Sequence, residues 1–96
     1  MKTTYAVLIT YTDQGIRNLK QSPQRGLAFR QSVEAAGIKV LAQLWTAGAY
    51  DGLLILEADS EAKVLAPLAQ LASLGNVRTQ SLRAFDAAEF SAIVGA

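Results

Sequence analysis

The order in which strand-like and helix-like stretches follow one another constrains this chain more than any single motif. Thr4 to Tyr11 is rich in β-branched and aromatic residues and reads as a first strand, broken by Asp13-Gln14-Gly15. Gly15 to Gln21 is polar, with Arg17 and Lys20, and reads as a loop with one helical turn. Ser22-Pro23 starts a helix, because serine accepts from an orphan backbone N–H and proline at the first position forfeits no useful donor. Gly26, Phe29, Val33 and Ala36 then fall on one helical face, and Gly37 supplies a left-handed stop. Glycine inside a helix costs about 0.5–1 kcal/mol, so Gly26 on the apolar side implies close approach to a sheet.

Ile38 to Thr46 reads as a second strand, Gly48-Ala49-Tyr50-Asp51-Gly52 as a turn, and Leu53 to Glu57 as a third strand, together a hairpin. Asp59 or Ser60 caps a helix running to about Leu74, with Val64, Leu65, Leu68, Leu71 and Ala72 apolar and Gly75 as its stop. Pro67 inside it is expected to kink the helix or delay its start, since it lacks an N–H and crowds the preceding turn. Val77 to Phe85 reads as a fourth strand. Asp86 with Glu89 resembles a capping box opening a short terminal helix, whose apolar side is Phe90, Ile93 and Val94.

Two right-handed βαβ halves of this kind give an α+β, ferredoxin-like β-α-β-β-α-β domain over residues 1–96, its antiparallel sheet ordered 4-1-3-2. The 96 residues are too few for two separate cores. Both helices then lie on one face of the sheet. The other face is unusual, because the central strands do not alternate. Tyr5, Val7, Ile9 and Tyr11 point one way, Ala6 and Leu8 the other, and Leu53 and Ile55 oppose Leu54 and Leu56. The edge strands look more polar, with Lys39 and Gln43 among Leu41 and Trp45, and Arg78, Thr79, Gln80, Ser81 and Arg83 in the last strand. An apolar centre with polar borders resembles a protein interface, which points to a homodimer or a multiple of it, packed sheet to sheet. The alternative is that the terminal helix folds over this face.

Composition narrows the chemistry. The chain has no cysteine and no histidine, which removes thiolate chemistry, the commonest metal ligands and the commonest general base. No cofactor is expected. A haem-handling role would need an axial ligand, and with Met1 the sole methionine, tyrosine is the main candidate. Net charge is +1 with scattered cations, which argues against nucleic acid as a partner. The run Tyr5-Ala6-Val7-Leu8-Ile9 is too short to span a bilayer, so no membrane partner and a cytoplasmic location are expected.

Three blocks carry a resemblance. Thr10-Tyr11-Thr12-Asp13-Gln14-Gly15-Ile16-Arg17-Asn18, then Trp45-Thr46-Ala47-Gly48-Ala49-Tyr50-Asp51-Gly52, then Leu74-Gly75-Asn76-Val77-Arg78-Thr79 with Leu82-Arg83-Ala84-Phe85 resemble the GYD domain family, whose motif stands here at Gly48, Tyr50 and Asp51. The resemblance runs from about Thr4 to Phe90. It implies a ferredoxin-like domain related to the dimeric α/β-barrel group, and it carries no catalytic residues over.

Among candidate ligand-binding residues, Tyr50 and Asp51 put a phenol beside a carboxylate in a glycine-flanked turn, where one donates and the other anchors a polar ligand. The plainer reading is a hairpin turn whose Asp-Gly serves turn geometry. Arg78 and Arg83, five apart in one strand, point to opposite faces; one is placed to pair with Asp51 and the other to reach an anion or a neighbouring subunit, or both are solvated edge charges. Tyr5, Tyr11 and Trp45 are candidates to line a pocket for a flat organic molecule, or else core residues with a polar tip. Thr12, Asp13, Gln14 and Arg17 sit near a helix start without the glycines of a phosphate-binding loop. Two functions follow: a non-catalytic homo-oligomeric module binding a small molecule or a protein, or a metal-independent small enzyme acting on an aromatic or polyketide-like substrate. A pocket of several hundred cubic ångströms between helices and sheet separates them.

Overall fold

The computed structural model describes residues 2–96; Met1 lies outside the described residues. The strands are β1 (Thr3–Tyr11), β2 (Lys39–Trp45), β3 (Gly52–Ala58) and β4 (Val77–Ala84). The helices are α1 (Asp13–Arg17), α2 (Ser22–Ala35), α3 (Glu61–Ser73) and α4 (Ala87–Val94), with a single 3₁₀ turn at Leu19–Gln21. The sheet runs β2-β3-β1-β4 with every neighbouring pair antiparallel, the expected order read from its other edge.

Period-two burial places Tyr5 and Val7 of β1 and Leu54, Leu56 and Ala58 of β3 beneath the helices. Val33 of α2 and Val64 and Leu68 of α3 close over them. Each such aliphatic side chain withdrawn from water contributes about 1.5–3 kcal/mol, so this layer holds the helices to the sheet. The buried stripe of α3 is narrower than its sequence suggests. Val64 and Leu68 are buried and Leu71 is half-buried, while Leu65 and Ala72 face solvent. Ser60 is the cap, its Oγ accepting from Lys63 N at 3.3 Å, and the helix runs through Pro67 without a delayed start.

Two expectations about β2 and α2 are corrected. Strict alternation puts Lys39, Gln43 and Trp45 on one face, but a bulge between Val40 and Ala42 resets the parity. Lys39 stays opposite Glu57 on the open face, while Gln43 opposite Leu54 and Trp45 opposite Gly52 turn under α2. The open face is therefore apolar at this edge as well, through Leu44 opposite Leu53. Ser22 does not cap α2. Gln21 is its cap residue, and the buried Ser22 hydroxyl is used elsewhere.

The capping box of α4 is present, with Glu89 N donating to Asp86 Oδ1 at 2.7 Å and Asp86 N to Glu89 Oε1 at 3.0 Å. Its apolar side nevertheless covers nothing: Phe90, Ile93 and Val94 are each more than half exposed. The terminal helix leaves the second sheet face open.

Candidate functional site

The helices and the sheet part at one end of the domain, and the gap is a narrow cleft of about 60 Å³, open to solvent on one side. Its sides are α2 (Ser22, Arg25, Gly26, Phe29), the ends of β1 and β2 (Ile9, Tyr11, Gln43, Trp45), and Leu71 with Asn76 and Val77. Gly26 is what lets α2 come down here. A β-carbon on it would stand 2.9 Å from Trp45 Cζ2 and 3.0 Å from Gln43 Nε2, inside van der Waals contact. Gln43 Nε2 donates to the Gly26 carbonyl at 2.9 Å, which pins β2 to the same turn of helix.

Three polar side chains converge on the floor. Trp45 Nε1 donates to Ser22 Oγ at 3.0 Å, and Tyr11 Oη lies 2.6 Å from the same oxygen. Asp51 holds the strand ends together. Its Oδ2 accepts from Tyr11 N at 2.8 Å, its own N donates to Ile9 O at 2.7 Å, and its carbonyl accepts from Thr46 N at 3.0 Å. The carboxylate thus extends the β1–β3 ladder one step beyond Ile9–Gly52.

Of the candidate residues, Tyr11, Trp45 and Asp51 come together in this cleft, and Tyr50 and Arg78 do not. Tyr50 lies exposed in the turn, where its carbonyl accepts from Thr46 Oγ1 at 2.6 Å. Arg78 stands opposite Thr10 on the open face, so it does not pair with Asp51. Arg83 lies on the other face, as its spacing from Arg78 requires, with its guanidinium 4.5 Å from the Phe85 ring centre and 5.7 Å from that of Tyr5. Tyr5 is a core residue. Thr12 caps α1, accepting from Gly15 N at 3.1 Å.

Arg25 went unnoticed in the sequence. Its Nη1 donates to the Asn18 carbonyl at 2.8 Å, while its Nη2 is sealed from solvent with no hydrogen-bond partner among the described residues. A buried donor left unpaired costs on the order of 1–3 kcal/mol, more when it is charged, so it requires an explanation. A signal was legible: Ser22, Arg25, Phe29 and Val33 share one helical stripe, and a cation within a buried stripe is out of pattern.

The GYD domain profile matches residues 5–94. The chain belongs to the GYD domain family. A relative from Thermus thermophilus, the "glutamine synthetase and cystathionine beta-lyase binding protein", is 37% identical over 90 residues, which cover 93% of this chain and 95% of the relative. Among solved structures, the Gly102Thr mutant of Rv3291c superposes with a TM-score of 0.60 at 20% identity, over 88% of this chain. The chain spans half the length of that protein, and the likeness is one of fold. Among the described residues, no helix is long and apolar enough to cross a membrane.

Proposed function

We propose that this member of the GYD domain family is a non-catalytic, cytoplasmic binding module that self-associates through its open sheet face and docks onto a metabolic enzyme. The uncovered face carries the self-association. Ala6 and Leu8 of β1, Leu53 and Ile55 of β3, Leu44 of β2 and Leu82 of β4 share it. Lys39, Glu57 and Arg78 supply charges of both signs around them. A flat apolar centre with a mixed-charge rim is the anatomy of a self-complementary interface. The enzyme-binding part draws on the Thermus relative, whose name gives it glutamine synthetase and cystathionine beta-lyase as partners.

Light scattering on a sizing column, run on the protein alone and mixed with purified glutamine synthetase, tests both parts. An even-numbered oligomer that becomes monomeric in the Leu44→Glu/Leu82→Glu variant is expected, as is co-elution of the wild type with the synthetase. A wild-type monomer at every concentration overturns the self-association. Failure to co-elute overturns the choice of partner.

A second reading, a metal-independent small enzyme acting on an aromatic or polyketide-like substrate, draws on the cleft with Tyr11, Trp45 and Asp51 in its walls. The bonds already made by Tyr11 and Asp51 favour a positioning role for them over proton transfer.

A further inference from the structure

The connection between β1 and α2 is braced from two sides. Gln14 Nε2 donates to the Leu74 carbonyl at 3.0 Å and to Asn76 Oδ1 at 3.1 Å, which fastens α1 to the end of α3. From α2, Arg25 Nη1 donates to the Asn18 carbonyl at 2.8 Å and fixes the turn into the 3₁₀ segment. The corner so formed displays apolar side chains that its own stability does not use. Leu74 is 63% exposed, more than any other large apolar residue among those described, and Ile16 and Leu19 are 58% and 49% exposed. Single exposed leucines are ordinary, but three on one rigid corner mark an interaction surface.

Charge gathers at the same corner. Arg17 and Lys20 are exposed and have no ion pair among the described residues, whereas Lys2, Arg30 and Lys63 each face a carboxylate. From Asp13 to Arg25 there are three cations and one anion, a local +2 on a chain whose net charge is +1. Apolar anchors interleaved with free cations match a protein surface whose apolar pocket is bordered by carboxylates. A second copy of this chain does not offer one. Of its eight side-chain carboxylates, Glu34, Glu57 and Asp59 pair with cations, while Asp51, Asp86 and Glu89 accept from backbone N–H groups. That leaves only Asp13 and Glu61, near opposite ends of α3. The complement is therefore a different protein.

We propose that this corner docks the chain on its partner enzyme, with Ile16, Leu19 and Leu74 as anchors and Arg17 and Lys20 facing an acidic rim. The inference rests on the enzyme-docking role proposed above. The corner belongs to the helix layer, so it stays accessible when two copies pair through their open sheet faces.

The test follows association and dissociation by surface plasmon resonance, with purified glutamine synthetase and, in parallel, cystathionine beta-lyase immobilised. Wild-type association should slow by about tenfold between about 0.05 M and about 0.3 M salt, because opposite charges steer the encounter. Arg17→Glu/Lys20→Glu should slow association by about tenfold or more at the lower salt. Ile16→Gln/Leu74→Gln should instead speed dissociation by about tenfold or more, since lost apolar burial acts on the bound state. Arg30→Glu/Lys63→Glu, the same charge change elsewhere, should bind like wild type. Circular dichroism checks folding, and the salt dependence of the wild type decides if a variant does not fold. Unchanged kinetics in both corner variants, or salt-independent association, overturns the corner and leaves the docking role standing. An equal loss in Arg30→Glu/Lys63→Glu traces the effect to overall charge and overturns it as well. Corner variants that change the oligomeric mass and not enzyme binding make it a contact between copies, against the proposal. Failure of the wild type to bind either enzyme removes the docking role and this surface with it.

Discussion

Replacing Gly15 by alanine tests the joint on which one end of the cleft depends. Gly15 is buried in α1, and its backbone needs no left-handed conformation, so only space is at issue. A β-carbon there would stand 2.0 Å from the Asn76 carbonyl oxygen, 3.0 Å from its carbon and 3.2 Å from Tyr11 Cδ1. The obstacle is backbone and cannot rotate away. Relief requires α1 to lift off Gly75-Asn76, which strains the bond from Thr12 N to Asn76 O at 3.1 Å and the one from Thr12 Oγ1 to Gly75 O. Overpacking costs about 1–3 kcal/mol, and each weakened bond about 0.5–1.5 kcal/mol. Alanine returns at most about 1 kcal/mol of helix propensity. The balance is a loss of about 2–4 kcal/mol, a large share of the total stability of a domain this size. The midpoint of thermal unfolding should fall by about 10–25 °C, followed by circular dichroism and Trp45 emission together. A Gly15→Ala protein within about 0.5 kcal/mol of wild type, or more stable, would refute the close approach of α1 to Asn76.

Asp51→Ala strands the half-buried Tyr11 N–H and should cost about 1–2 kcal/mol in urea unfolding; Asp51→Asn should cost less, because its amide oxygen still accepts. Equal losses for the two variants would show that the carboxylate charge, rather than the bond to Tyr11 N, is what matters. Asp86→Ala removes the α4 cap, worth about 1 kcal/mol locally. Because α4 lies with its apolar side exposed, the global midpoint should shift by less than about 0.5 kcal/mol while amide exchange over residues 87–94 accelerates. A global loss of the full cap value would mean that α4 is docked.

Local signals carry the fold in this protein. Gly37 and Gly75 stop their helices with φ of +87° and +85°, a region that glycine enters without penalty. The Asp86–Glu89 reciprocal cap and the opposite faces of Arg78 and Arg83 depend on separations of a few residues and on strand parity. Gly26 signals a close approach because a helix otherwise rejects it, although its neighbour there, Trp45, is known only from the fold. All of these are determined by the sequence itself, because each depends on backbone geometry over a turn or two.

Long-range geometry decided the rest. One extra residue at Val40–Ala42 turns Gln43 and Trp45 under α2, and nothing in Lys39–Trp45 marks where that bulge falls. Ser22 reads as a cap, yet the fold gives its hydroxyl to two side chains from separate strands. Asp51 reads as a turn residue or a base, and its carboxylate instead closes a ladder with a strand 40 positions earlier. Whether Arg25 finds a partner, and whether α4 covers the open face, depends on where whole elements stop in space. The sequence determined the elements, their order and their buried sides. Only the tertiary structure decided which polar groups are satisfied and which surface stays open, because both depend on contacts between residues far apart in the chain.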